Sequence, residues 1–286
     1  MLKSLWLVFA LNVSFTVIEF FGGYYTNSIA IVSDAFHDLG DSLALLGAII
    51  LEKIAHKASN SSYTYGYKRY SILSALAVSL ILIGGSVFVI FEAIPRLTQV
   101  KEVNSIGMLW LAILGVLVNG AAVFKLVGSN KNSLNQRAIM LHMLEDTLGW
   151  VAVLIGAAII HFTGFTIIDP ILSLVIAAFI LYNAFGSLKR GLDVMLQKAP
   201  QQIDNEAIKE AIEKNTLVND VHDLHIWTLD GEKNVATLHI RLNQNTDLNK
   251  QSELKKEIRN ILVELGVQHA TIEFDAMDAD CAFEDC

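Results

Sequence analysis

Six long apolar stretches constrain the fold of this chain more than any other feature of its sequence. Each is long enough to cross about 30 Å of hydrocarbon at roughly 1.5 Å of helix rise per residue. With 53% hydrophobic and only 17% charged residues, the chain is also too apolar for an ordinary soluble protein of 286 residues. The sequence predicts six transmembrane helices, at residues 5–25, 29–54, 71–94, 106–127, 138–162 and 169–188. The first stretch shows no small-residue cleavage site, which favours a retained span over a signal peptide.

The composition changes near residue 200, where the apolar content stops. Residues 201–286 contain 18 Asp and Glu against 8 Lys and Arg, which leaves this tail strongly acidic. We therefore predict a transmembrane domain at residues 1–199 and a separate soluble domain at residues 200–286. A nucleic-acid partner is not expected, because no basic patch dominates the charge.

Basic residues are distributed unevenly among the predicted loops, and this asymmetry predicts the orientation of the chain. Only Arg96 and Lys101 lie in the loops on one side of the membrane. The basic residues of the opposite side are Lys53, Lys57, Lys68, Arg69, Lys125, Lys131, Arg137, Lys189, Arg190 and Lys198. By the positive-inside bias, we expect both termini and the acidic tail to be cytoplasmic.

The tail alternates between helical and strand-like patterns. Residues 203–215 and 248–265 have the apolar spacing of amphipathic helices, whereas residues 218–229, 235–242 and 270–274 are strand-like. The order αββαβ predicts a small two-layer, ferredoxin-like domain.

Two predicted membrane helices each contain a histidine followed four residues later by an aspartate. His37 and Asp41 lie in the second span, and His142 and Asp146 lie in the fifth. Residues four apart lie about one turn apart on the same face of a helix. In the second span Asp34 and Asp38 fall on the same polar stripe, which is roughly 100° wide. Ionisable groups at bilayer depth are costly and by default mark an ion pathway.

If the two polar faces meet, His37, Asp41, His142 and Asp146 supply two imidazoles and two carboxylates. This set suits a tetrahedral zinc ion, since magnesium and calcium prefer shells made only of oxygen. Cobalt, iron(II), nickel or cadmium could compete for the same ligands. The alternative reading, interhelical hydrogen bonds that join the helices, does not require so many carboxylates on one face.

Three segments resemble motifs of the cation diffusion facilitator family of divalent-metal exporters. SDAFHDLGDSLAL and HMLEDTLGW resemble its transport-site motifs, and VHDLHIWTL resembles the opening strand of its cytoplasmic domain. The resemblance implies a homodimeric metal–proton antiporter with His37, Asp41, His142 and Asp146 at the transport site. One histidine on each helix is similar to the zinc-preferring members.

The resemblance also implies a cytoplasmic metal site in the tail. The matching positions are His222, His239 and Glu273, and the terminal Cys281 and Cys286 resemble extra ligands found in some zinc transporters. Cytosolic thiols stay reduced, so this pair could bind zinc or copper(I). The alternative is a tail with two thiols that bind nothing.

Ligand chemistry predicts proton exchange, because a histidine must be neutral to bind metal and becomes cationic when the metal leaves. Asp38 and Glu145 are candidates for supporting the ligands or relaying protons, and the alternative is that they only line the water path. A metal sensor that does not transport would need the same ligands. An intramembrane metallohydrolase is a more remote alternative, because the chain lacks the HExxH arrangement of that class.

Overall fold

A computed structural model gives the fold of the protein. It describes residues 2–276, apart from 56, 58, 100, 128–133 and 245. Within the helices, the side chains of residues 2–5, 7, 8, 45, 48, 49, 51–53, 55, 122–127, 134–143 and 145 are also outside the described part.

All six apolar stretches form long helices, and their bounds agree with the sequence prediction to within a few residues except at the C-terminal end of the sixth. These helices are α1 (Leu2–Thr26), α2 (Ile29–Ala55), α3 (Tyr70–Arg96), α4 (Ser105–Val127), α5 (Leu134–Thr163) and α6 (Ile168–Met195). The sixth helix continues past the predicted end at residue 188, because its last turns are polar and contribute no apolar signal.

Three segments of these helices are both long and apolar enough to cross a bilayer over their described residues. They are Tyr70–Arg96, Asp146–Thr163 and Ile168–Met195, and Ser105–Ala121 is a shorter apolar segment. Helix α2 differs from these segments in that Asp34, Asp38 and Asp41 interrupt its apolar sequence.

The interior of the helical domain is packed around Trp150 of α5. Its ring is 1% exposed and lies against a cluster that includes Ile31 of α2 and Met108 of α4. Gly115 of α4 permits this packing, because a Cβ atom at that position would lie 2.1 Å from the Trp150 ring. Helices α4 and α5 therefore approach closely, and the face of α5 that contains Asp146 is held in one orientation.

The start of α2 is fixed by a carboxylate from the start of α6. Asp169 is fully buried and accepts hydrogen bonds from the backbone N–H groups of Ile29 at 2.8 Å and Ala30 at 3.3 Å. The Ser28 hydroxyl donates a further hydrogen bond to it. The first N–H groups of a helix lack partners within the helix and favour negative charge. Asp169 thus caps α2, a helix other than its own.

The C-terminal elements follow the predicted order αββαβ. They are α7 (Asn205–Glu213), β1 (Val218–Thr228), β2 (Asn234–Leu242), α8 (Leu248–Glu264) and β3 (His269–Asp275). Asp204 and Asp247 cap the two helices, since their side chains accept hydrogen bonds from backbone N–H groups of the first turn.

The three strands form one sheet in the order β1-β2-β3. Strands β1 and β2 are antiparallel, and β2 pairs in parallel with β3 through the α8 crossover. One face of the sheet packs against α7 and α8, with Leu238, Ile240 and Ile272 in the core. Alternate residues of a strand face opposite sides, so His239, between Leu238 and Ile240, lies on the face away from the helices.

The chain divides into two compact units. One consists of Met1–Lys53 and Ser74–Leu188, and the other of Ile54–Leu73 and Lys189–Cys286. The segment between α2 and α3 thus belongs with the C-terminal unit. Within that unit, Lys68 Nζ lies 3.0 Å from Asp230 Oδ2, and the Tyr65 ring contacts His269 edge to face. The boundary at residue 199 between a transmembrane and a soluble domain stays a prediction.

Candidate metal sites

The polar stripe of α2 faces the inside of the helical domain. Asp34 and Asp38 are 5% and 7% exposed, although carboxylates are rarely buried without partners. On the same stripe, His37 Nε2 lies 3.7 Å from Asp41 Oδ2, one helical turn further on. The four residues therefore form one polar surface, as their spacing predicts, with Asp34 and Asp38 buried and His37 and Asp41 partly buried.

Asp146 of α5 lies against this surface. Its Oδ1 atom is 3.4 Å from His37 Nε2, and one donor atom from each of His37, Asp41 and Asp146 lies within 4.8 Å of the others. Around a tetrahedral zinc ion with bonds of about 2.1 Å, neighbouring donor atoms are about 3.4 Å apart. The three side chains could thus hold one ion in common after only small movements.

The fourth predicted ligand is His142 of α5. The His142 side chain lies outside the described part of the structure, as does that of Glu145. The α5 backbone is helical through both positions, so residue 142 lies one turn before Asp146 on the same face of the helix.

A second cluster lies on the outer face of the cytoplasmic sheet. His222 of β1 pairs across the strands with His239 of β2, and the two imidazole rings are 5.6 Å apart between centroids. Asp275 at the end of β3 completes the group, with its Oδ2 atom 3.1 Å from His222 Nε2 and 3.2 Å from His239 Nδ1. Donor atoms of all three residues lie within 4.8 Å of one another.

The donor atoms of this cluster suit a metal. His222 Nε2 is buried and makes no hydrogen bond with described residues, despite its short distance to Asp275. The other ring nitrogen, Nδ1, is hydrogen-bonded to Asp220 Oδ1 at 2.8 Å. A carboxylate on the second nitrogen is typical of metal-binding histidines, because it fixes the tautomer and the ring orientation.

The carboxylate that joins the two histidines is Asp275, whereas the family resemblance implied Glu273. Glu273 Oε2 lies 3.5 Å from His239 Nε2, on a side chain that is 66% exposed. Glu273 and Asp275 lie on the same face of β3 because they are two residues apart. That spacing was the one feature of the sequence that indicated Asp275 as an alternative to Glu273. Cys281 and Cys286 lie outside the described residues.

Backbone irregularity shapes the histidine segment of β1. The register shifts between His222 and His225, and Asp223 within this bulge has a φ of 48°. Asp223 Oδ1 is hydrogen-bonded to His225 Nε2 at 2.7 Å, and its Oδ2 lies 3.6 Å from His239 Nε2. Bulges redirect side chains, and this one leaves His222 mostly buried and His225 exposed.

Two family models together match nearly the whole chain. The cation efflux transmembrane domain matches residues 5–196, and the cytoplasmic domain of cation efflux proteins matches residues 200–276. The first match contains all four predicted transport-site residues, and the second contains His222, His239 and Asp275.

Curated relatives match over similar lengths. A cadmium, cobalt and zinc/H(+)-K(+) antiporter of Bacillus velezensis is 34% identical over 96% of this chain and 88% of its own length. The metal cation efflux system protein CzcD of Cupriavidus metallidurans is 33% identical over 96% of this chain and 86% of its own. The zinc transporter ZitB of Escherichia coli is 32% identical over 99% and 90%, respectively. With two matching domains and relatives along its length, this multi-pass membrane protein belongs to the cation diffusion facilitator family.

Proposed function

We propose that this protein exports a divalent metal ion, zinc first of all, from the cytoplasm in exchange for protons. The observation that carries the proposal is the group of His37, Asp41 and Asp146, whose donor atoms converge from two membrane helices. Removing ionisable side chains from water costs free energy, so a group of them between membrane helices indicates a function. Passage of a cation is one such function. The names of the relatives, which include zinc, cadmium and cobalt, support the choice of substrate.

Zinc is the preferred substrate because of its ligand chemistry. An imidazole and two carboxylates, with His142 as the fourth ligand, form a mixed nitrogen and oxygen set that suits tetrahedral zinc better than magnesium or calcium. His142→Asp should widen acceptance towards oxygen-preferring or larger cations, because it replaces a borderline ligand with a hard one. Unchanged selectivity in a flux assay would argue against His142 as a ligand.

Proton exchange follows from competition for the same atoms. His37 binds metal only when its Nε2 is unprotonated, and a protonated imidazole repels the ion. Protons from outside would therefore displace zinc when the site opens to that side. Alternating exposure of one site to the two sides of the membrane is the mechanism that we propose.

The cytoplasmic cluster extends the proposal. We assign His222, His239 and Asp275 as ligands of a second metal position, with Glu273 at its edge and Cys281 and Cys286 as further candidate ligands. A resident zinc there would neutralise Asp275 and hold the β1 and β3 strands to β2. We also propose a homodimer in the cytoplasmic membrane, with both termini in the cytoplasm. The uneven distribution of loop lysines and arginines supports this orientation.

Zinc flux into vesicles tests the main proposal against a sensor that does not transport. Full-length protein in proteoliposomes with an entrapped zinc indicator should take up zinc when the interior is acidic. Asp41→Ala should abolish uptake, whereas Glu92→Gln, a change at an exposed position of α3, should not. Zinc binding without uptake by the wild type would favour the sensor, and uptake by Asp41→Ala would contradict the assigned site.

A further inference from the structure

Glu19 of α1 is a buried carboxylate that the transport site does not use. It is 0% exposed, and neither of its oxygens accepts a hydrogen bond from any described residue. Asp34 of α2 resembles it, since it is 5% exposed and its Oδ2 also lacks a hydrogen bond within the described part of the chain. A buried polar atom without a partner is rare in native proteins and calls for an explanation.

Three carboxylates lie near Glu19 in the described part of the chain. These neighbours are Asp38 and Asp34 of α2 and Asp146 of α5. Asp34 faces Asp38 and Asp146 as well, together with His37 and Asp41. Its Oδ1 atom also points towards α5, since a Cβ atom at Gly149 would lie 3.7 Å from it. Among the described residues, no lysine or arginine forms an ion pair with Glu19 or Asp34.

So many neighbouring carboxylates cannot all be ionised without a cation. Carboxylates that share a site repel each other, and burial without water increases the cost. Zinc held by His37, Asp41 and Asp146 supplies positive charge while it is bound. When zinc leaves, the cluster must gain another cation.

We propose that Glu19 and Asp34 bind the monovalent cation, a proton or K⁺, that replaces zinc during the return step. The proposal rests on the exporter function given above and names residues for its counter-ion. A proton would add to a carboxylate oxygen of Glu19, whereas K⁺ would sit among the oxygens of both residues. Neither residue needs to bind zinc for this role. They act on the transport site through charge.

The test separates coupling from zinc binding. Full-length wild type, Glu19→Gln and Asp34→Asn are reconstituted with an entrapped zinc indicator, and Glu92→Gln on the exposed side of α3 is the matched control. Zinc uptake is measured with a pH gradient at equal K⁺, with a K⁺ gradient at equal pH, and with neither. The affinity for zinc is measured by calorimetry on the same preparations.

We expect one of the two gradients to accelerate uptake by the wild type and by Glu92→Gln about fivefold or more. The responsive gradient identifies the cation. Glu19→Gln and Asp34→Asn should lose this acceleration, while their dissociation constants for zinc stay within about threefold of the wild-type value.

Three results would count against these ideas in different ways. If Glu19→Gln and Asp34→Asn respond to the gradient as the wild type does, the counter-ion site is wrong and the exporter function stands. If either variant loses zinc affinity by about tenfold or more, that residue belongs to the zinc site itself and the proposal is also overturned. If the wild type takes up no zinc under any gradient, the exporter function fails.

Discussion

His37 and Asp146 are 109 residues apart in the sequence, yet His37 Nε2 lies 3.4 Å from Asp146 Oδ1 between two membrane helices. This contact joins the polar stripe of α2 to that of α5. It converts two local motifs, each ordinary alone, into one group of metal-competent atoms.

Asp146→Ala should lower zinc uptake by about 100-fold or more. Losing a direct metal ligand should reduce activity at least as much as losing a residue that hydrogen-bonds to a ligand. Flux into proteoliposomes measures the change, and calorimetry should show a parallel loss of affinity. Thr163→Ala, an exposed change at the end of the same helix, is the control. Transport by Asp146→Ala at the wild-type rate would remove this residue from the site.

Asp275→Asn should weaken zinc binding at the cytoplasmic cluster by about 10- to 100-fold, since it removes the carboxylate that contacts both histidines. Glu273→Gln should have a smaller effect, because this side chain is mostly exposed and, among the described residues, pairs with His239 alone of the two histidines. Calorimetry on the full-length protein with Asp146→Ala in the background isolates this second site. Glu264→Gln on the exposed side of α8 is the control, and equal losses for Asp275→Asn and Glu264→Gln would contradict the assignment.

Asp169→Ala should lower the free energy of unfolding by about 3 kcal/mol, because it leaves the buried N–H groups of Ile29 and Ala30 without an acceptor. Equilibrium unfolding in mixed detergent micelles measures the change. Asp193→Asn, which loses only a partly exposed ion pair with Lys198, should cost less than about 1 kcal/mol. Similar losses in the two variants would show that the cap of α2 does not stabilise the fold.

The Lys68–Asp230 ion pair should stabilise its unit only above acidic pH. Partial burial tends to raise the pKa of Asp230, but hydrogen bonds from the Lys233 and Glu232 backbone and the Lys68 ammonium outweigh it, so the pKa is lowered. A lowered folded pKa gives stability that is present above the unfolded value of about 3.9 and is lost as the pH falls through the folded value.

Asp230→Asn should therefore lower the melting temperature at pH 7, by an amount equivalent to about 0.5–1 kcal/mol, and should have less effect near pH 3. Lys209→Gln, which removes a looser ion pair with Glu206 at 3.9 Å, is the control and should change little at either pH. An equal loss of stability from Asp230→Asn at both pH values would show that the charge of Asp230 contributes nothing.

Local patterns predicted the secondary structure well, because apolar length and strand alternation depend on the immediate sequence. The bounds of β1 and β2 differ from prediction by a single residue, and α8 ends one residue earlier than predicted. The position of Asp169 just before Pro170 indicates a helix cap. The sequence does not say which helix it caps, because only the packing of α6 against α2 brings its carboxylate to the N–H groups of Ile29 and Ala30.

The sequence alone determined the number of helices, the order αββαβ and the polar faces of α2 and α5, since each follows from periodicity within one segment. It did not determine which carboxylate joins His222 to His239. That choice depended on the parallel register of β2 and β3, which brings Asp275 opposite Arg241 and its carboxylate to both imidazoles. Likewise, Glu19 is a buried neighbour of Asp34 and Asp38 only because α1 packs against the acidic face of α2. The sequence could not indicate this, because a single glutamate in an apolar stretch forms no periodic pattern that points to its partners.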